Sequence, residues 1–203
     1  MSSDSSPIIS LATAEFSDLR SYLLNLLVDY AYKEGDFVLS SGQPSYYYIN
    51  GKQVTLMAQG ALATGRLLLS LLPPGTQGVA GLTLGADPLV TAVSVVSAYE
   101  NCPIPALIIR KAAKGHGTQA YIEGPTLEPG TAIVVLEDVV TTGKSAMLAV
   151  ERLRAVGYRV QTIIALVDRE QGGAAFYQAQ ELDFIPLFSI REIQGTYAQK
   201  MSS

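Results

Sequence analysis

The chain has 203 residues, 48% of them hydrophobic and only 16% charged, which is enough apolar material for one well-buried domain. Its formal charge of −4 argues against nucleic acid as a partner, because gripping a phosphate backbone takes a net basic face. Cys102 is the single cysteine and excludes an internal disulfide; with no export signal and no apolar stretch long enough to span a bilayer, the expectation is a soluble cytoplasmic protein without a membrane partner.

Residues 1–12, Ser-rich with Pro7, read as a flexible tail ahead of a single domain over 13–203. Between 16 and 32, Leu19, Tyr22, Leu23, Leu26, Leu27 and Tyr30 form the stripe of an amphipathic helix, with Gly35 as its stop. The run FVLSSGQPSYYYINGK over 37–52 places two extended segments around Ser41-Gly42-Gln43-Pro44, the pattern of a hairpin. Tyr46, Tyr47 and Tyr48 alternate between its faces, so at least one is expected to be half-exposed. A helix over 59–72 closes at Pro73-Pro74-Gly75, and a short strand follows over 78–82. Thr83-Leu84-Gly85-Ala86-Asp87-Pro88 then offers small residues at a strand end, ahead of a helix with Pro88 in its first turn. That suits close approach of an anion, and equally suits an ordinary strand-to-helix loop. Cys102, beyond that helix, is expected to be buried and inert.

The strand over 106–109 delivers Arg110, Lys111, Lys114 and the only histidine, His116, on a glycine-flanked loop with no apolar anchor. Charge runs are usually solvated loops, but cations concentrated on one segment of a net acidic protein point to an anion to be covered. Gly115 to Ala120 spells a dinucleotide-type glycine motif; Pro125 leaves no room for the helix that motif requires.

The most informative stretch is IVVLEDVVTTGKS over 133–145. Its apolar β-branched start reads as a strand buried on both faces, ending where Glu137 and Asp138 begin. Thr141-Thr142-Gly143-Lys144-Ser145 follows with hydroxyls, a glycine and an amine just ahead of a helix over 145–156. Backbone N–H groups, hydroxyls and the helix N-terminus make a cup for a phosphate monoester, and the carboxylates are suited to ribose hydroxyls. A nucleotide-triphosphate P-loop is excluded because its first glycine position is Asp138. A last αβ unit, with its strand over 160–167, ends in Asp168-Arg169-Glu170-Gln171-Gly172-Gly173. Arg169 there suits either a salt bridge or a planar carboxylate ligand. The strand and short helix expected over 182–193 complete an α/β pattern: a mostly parallel open sheet flanked by helices, with ligands at its carboxyl edge.

The Glu-Asp-x-x-Thr-Thr-Gly-x-Ser run resembles the 5-phosphoribosyl 1-diphosphate (PRPP) motif of type I phosphoribosyltransferases, with Lys144 where a second glycine is common. The 37–50 segment is similar to the N-terminal hood of orotate phosphoribosyltransferases, with Ser40 where some members carry a substrate-holding lysine. The 110–118 and 168–173 runs are similar to that family's mobile catalytic loop and orotate-binding turn. The resemblance implies Mg²⁺-dependent transfer of the phosphoribosyl group to orotate, giving orotidine 5′-monophosphate and pyrophosphate for pyrimidine synthesis. It assigns PRPP to Arg110, Lys111, Lys114, His116, Glu137, Asp138, Val139, Val140, Thr141, Thr142, Gly143, Lys144 and Ser145, and orotate to Thr141 and Arg169. Lys114 and Asp138 would be catalytic, and the 83–88 loop would help seat the pyrophosphate. The protein would supply no dedicated metal cluster, and Mg²⁺ would arrive with the substrate. The resemblance also implies a homodimer whose active sites are shared through the catalytic loop. Two alternatives are a phosphoribosyltransferase for another base and a non-enzymatic PRPP-sensing regulator. The hood and the Asp-Arg-x-x-Gly-Gly run weigh against the first, and an acidic N-terminus too short for a nucleic-acid-reading domain weighs against the second.

Overall fold

The computed structural model describes residues 11–38, 44–113 and 121–202. Helix α1 (Phe16–Leu26) continues through a single π turn, Leu27–Ala31, straight into strand β1 (Tyr32–Val38). The helix therefore stops short of Gly35, which lies inside the strand. Tyr32 is the first residue to leave helical geometry, and it is buried at the start of a hairpin pairing with Ile49. Strand β2 (Pro44–Ile49) pairs antiparallel with β1, confirming the hairpin, whose turn lies outside the described residues. Ser45 and Tyr47 point to one face and Tyr46 and Tyr48 to the other, as strand alternation requires. Tyr46 and Tyr48 are the exposed ones.

A four-residue helix, α2 (Lys52–Thr55), joins the hairpin to α3 (Ala58–Ser70). The chain then alternates: β3 (Gly78–Leu82), α4 (Asp87–Tyr99), β4 (Ala106–Ile109), β5 (Ile122–Glu123), β6 (Ala132–Val140), α5 (Lys144–Ala155), β7 (Arg159–Asp168), α6 (Gly173–Gln178), β8 (Asp183–Ser189) and α7 (Ile190–Met201). The sheet order is β5-β4-β3-β6-β7-β8, parallel except for the edge pair β4–β5. This is the open, mostly parallel sheet the sequence predicts. Its strands are continuous apolar runs because both faces are covered. Leu19 and Leu23 of α1, Leu67 and Leu68 of α3 and Leu89, Val90 and Val93 of α4 cover one face, and Ala149, Val150 and Leu153 of α5 and Tyr177 of α6 cover the other.

Further features differ from the sequence reading. Strand β6 does not end at Leu136 but pairs with β7 through Val140 and Asp168, so the two carboxylates lie within it. The final helix is twelve residues long rather than short, with the Ser189 hydroxyl accepting from the Glu192 N–H at its start. Helix α6 and the two-residue strand β5 have no counterpart in the sequence reading, being too short to show a period. Cys102 is exposed, because it follows a left-handed Asn101 that turns the chain outward after α4. Among the described residues no helix is long and apolar enough to cross a membrane.

Candidate active site

The carboxyl ends of β3, β6 and β7 converge with the hairpin. Because β6 runs on through residues 137 and 138, its neighbouring carboxylates face opposite layers. Asp138 turns toward the hairpin side. Its Oδ1 accepts from the Val139 N–H at 2.9 Å, and the Lys52 ammonium lies 3.5 Å from Oδ2. Gly85 makes the space, and Gly51 lies alongside. A Cβ on Gly85 would fall 2.5 Å from Oδ1, and one on Gly51 would sit 3.6 Å from the aspartate's own Cβ. Gly85 is therefore needed for this loop to pack closely on Asp138.

Glu137 turns the other way, beneath the loop that follows the strand. It is 6% exposed, and its Oε2 has no hydrogen-bond partner. Burial, and then the charge of Asp138, hold its carboxyl well above the usual range. The Tyr177 hydroxyl is likewise buried and unpartnered, and burial followed by Glu137 and Asp168 raises its pKa. Glu137 and Tyr177 help to line a cavity of about 70 Å³ walled by residues 139–146. Gly143 starts α5 with φ of +87°, and a Cβ there would strike Tyr177 and Phe176. A Cβ on Gly173 would reach 2.4 Å from Val140 Cγ1, and its N–H donates to the Thr141 carbonyl. Gly173 of the last turn thus buttresses the cup directly. Val139, Val140, Thr141, Thr142, Lys144 and Ser145 form its rim, with Thr142, Lys144 and Ser145 exposed.

Arg169 is anchored beside the cup by its backbone N–H on the Val140 carbonyl. Its side chain is 7% exposed and reaches the hood: Nε donates to Tyr47 Oη at 3.0 Å, Nη2 donates to Ser45 Oγ at 3.2 Å, and the guanidinium stands 4.5 Å from the Tyr47 ring centre. The hairpin residues that share one face are the ones that hold this arginine.

The cationic loop is described only at its ends. Arg110 pairs with Glu123 at 2.9 Å, and Lys111 is exposed close enough to Glu137 to favour its charge. Arg152 of α5 donates to the carbonyls of Arg110 and Lys111 and lies over the Tyr121 ring, pinning both ends of the segment. Lys114 and His116, like Ser40 in the hairpin turn, lie outside the described residues. Among the described residues no group of three or more His, Cys, Asp or Glu could hold a metal ion. Sequence reading missed Lys52, Tyr177 and Arg152. A lone lysine after a hairpin, a tyrosine in a short helix and an arginine in an amphipathic one carry no local signal.

Comparison with known proteins agrees with this geometry. The orotate phosphoribosyltransferase of Synechocystis sp. is 69% identical over 193 residues, covering 95% of this chain and 98% of the relative. That of Nostoc sp. is 72% identical over 188 residues, covering 93% and 91%. The crystal structure of Mycobacterium tuberculosis orotate phosphoribosyltransferase in complex with PRPP superposes with a TM-score of 0.71 at 31% identity, covering 87% of this chain and 99% of that one. No family model matches the chain.

Proposed function

The chain belongs to the orotate phosphoribosyltransferases, and from that premise we propose how its residues divide the reaction. PRPP enters with its 5′-phosphate in the 139–146 cup, where backbone N–H groups at the start of α5 and the Thr141, Thr142 and Ser145 hydroxyls grip it. Fixing the phosphate there spends binding energy remote from C1 on orienting the sugar. Asp138 faces the ribose. As the C1–oxygen bond to pyrophosphate breaks, positive charge builds on the ring and the carboxylate stabilises it. Arg169 presents its guanidinium to the orotate carboxylate, with Thr141 beside it. Arg110, Lys111, Lys114 and His116 serve the pyrophosphate. The observation that carries this reading is that Asp138, the cup and Arg169 meet at one sheet edge under the hood.

The donor set fits a substrate-borne Mg²⁺. Asp138 and Asp87, whose Oδ1 is buried without a partner, supply one or two carboxylates, which is what an ion keeping waters and substrate oxygens needs. When bound, Mg²⁺ supplies charge neutralisation to the leaving pyrophosphate. The enzyme acts in the cytoplasm as a homodimer whose catalytic loop covers the partner's pocket. An apolar groove of about 660 Å³ between α3 and α4, with Leu56, Leu84 and Val95 exposed along it, supports a second copy seated on this face.

Mixing two inactive variants, Lys114→Ala and Asp138→Asn, tests both the roles and the sharing. With subunit exchange and random pairing, one site per mixed dimer is intact, and roughly a quarter of wild-type activity returns. If each loop served its own pocket, every site would carry one lesion and no activity would return.

A further inference from the structure

The loop assigned to pyrophosphate, residues 83–88, carries no cation. Its one charged side chain is Asp87, whose Oδ2 accepts from Thr83 Oγ1 at 2.8 Å while Oδ1 is buried and unpartnered. A seat with that charge would repel a diphosphate unless a positive group is supplied from elsewhere. The catalytic-loop cations reach the pyrophosphate from another element, and among the described residues that line the cavity beside Asp87 the cation is Lys52. It follows Gly51, one of the two glycines against which Asp138 is packed, and its backbone N–H is fixed by the Asn50 side chain at 3.3 Å. Its side chain is 34% exposed and lines the same cavity as Leu84, Asp87 and Pro88. The 3.5 Å separation from Asp138 Oδ2 is longer than an ammonium–carboxylate hydrogen bond, so the pair is a loose electrostatic contact on a flexible stem.

We propose that Lys52 is a pyrophosphate-binding residue of this enzyme: its ammonium neutralises Asp138 in the empty site and swings to the diphosphate when ribose hydroxyls take the carboxylate. This inference rests on the placement of the ribose at Asp138 and of the pyrophosphate at the 83–88 loop. It explains how a strand-end loop with only an acidic side chain can face an anion, and why a half-exposed lysine sits loosely against the principal carboxylate.

The test compares two ligands on full-length wild type, Lys52→Met and Lys52→Arg by titration calorimetry. One ligand is inorganic pyrophosphate with Mg²⁺. The other is ribose 5-phosphate, which fills the cup and meets Asp138 but has no diphosphate. Loss of a hydrogen bond to a charged group predicts that Lys52→Met weakens pyrophosphate about 10- to 100-fold and leaves ribose 5-phosphate within about twofold. Lys52→Arg, which keeps the charge and guards against a misfolded Met variant, is expected to recover most of the loss. Unchanged pyrophosphate binding in Lys52→Met, or equal weakening of both ligands, would overturn the proposal, since a lysine that merely positioned Asp138 would affect the sugar at least as much. A wild-type protein that bound neither ligand would overturn the underlying placement of the site and this inference with it.

Discussion

Replacing Gly85 with alanine crowds the Asp138 carboxylate without changing that residue. The added Cβ would lie 2.5 Å from Asp138 Oδ1, 2.6 Å from Cγ and 2.7 Å from Oδ2, against an ordinary contact of 3.4 Å or more, so the carboxylate or the loop must shift by about 0.9 Å. Asp138 Oδ1 is held by the Val139 N–H, so a retreat of the carboxylate costs that hydrogen bond. A misplacement near 1 Å in a preorganised site costs about 10²-fold in rate, close to 2.7 kcal/mol of barrier at about 1.36 kcal/mol per tenfold. Loss of orotate absorbance on mixing with PRPP and Mg²⁺ reads it directly, and the expected fall is mainly in kcat. The control is Gly195→Ala in α7, where a Cβ meets nothing within 4 Å. There the exchange is expected to stabilise the fold by roughly 0.5–1 kcal/mol through helix propensity and to leave turnover unchanged. Near wild-type turnover in Gly85→Ala would refute the placement of Asp138 at the reacting sugar.

Arg169→Ala is expected to weaken orotate far more than PRPP in calorimetry, while Tyr47→Phe, which removes the hydroxyl that accepts from Arg169 Nε and Gln171 Nε2, should weaken orotate by a modest factor of about 2–10. Equal losses for both substrates in Arg169→Ala would contradict its assignment. The raised carboxyl of Glu137 makes a second prediction. A group whose folded pKa lies above its unfolded one contributes stability that is full below the unfolded pKa, roughly 4.3, and is lost as pH rises toward the folded value. Glu137→Gln cannot ionise, so its melting temperature relative to wild type should climb as pH is raised from 5 to 8; a difference independent of pH would show that Glu137 is ionised in the fold.

The sheet and the cup were legible because each rests on a local rule. Continuous β-branched runs mark doubly covered strands, and a glycine with hydroxyls ahead of a helix marks an anion site. The hairpin was legible in outline, but its first strand begins at Tyr32, inside what reads as helix. Tyr30 and the preceding leucines keep a helical period, and only tertiary pairing of Tyr32 with Ile49 ends it. The contacts that tune the site were not legible, because they join distant positions. Ser45 and Tyr47 meet Arg169 across more than 120 residues, Arg152 of α5 holds the ends of a loop some forty residues earlier, and Lys52 reaches Asp138 from outside any motif. Gly173 shows the same limit from the other side. The sequence suggests a turn, whereas the reason for glycine there is the Val140 methyl 2.4 Å from where its Cβ would be.

The extension of β6 to Val140 changes what an adjacent glutamate and aspartate can do. Had the strand stopped at Leu136, both carboxylates would sit on a flexible loop, free to reach neighbouring ribose hydroxyls together. Inside a strand, alternation separates them: Asp138 joins the layer of Gly51, Lys52 and Gly85, and Glu137 joins the layer of Tyr177 under the cup. An ionised carboxylate buried beneath a phosphate would be unfavourable twice, once for desolvation and once for repulsion of the ligand. Burial and the charge of Asp138 push the pKa of Glu137 up, the direction in which both penalties shrink. Strand periodicity therefore divides the pair: Glu137 lies buried under the 139–146 hollow with its pKa pushed up, and Asp138 lies beside the Lys52 ammonium.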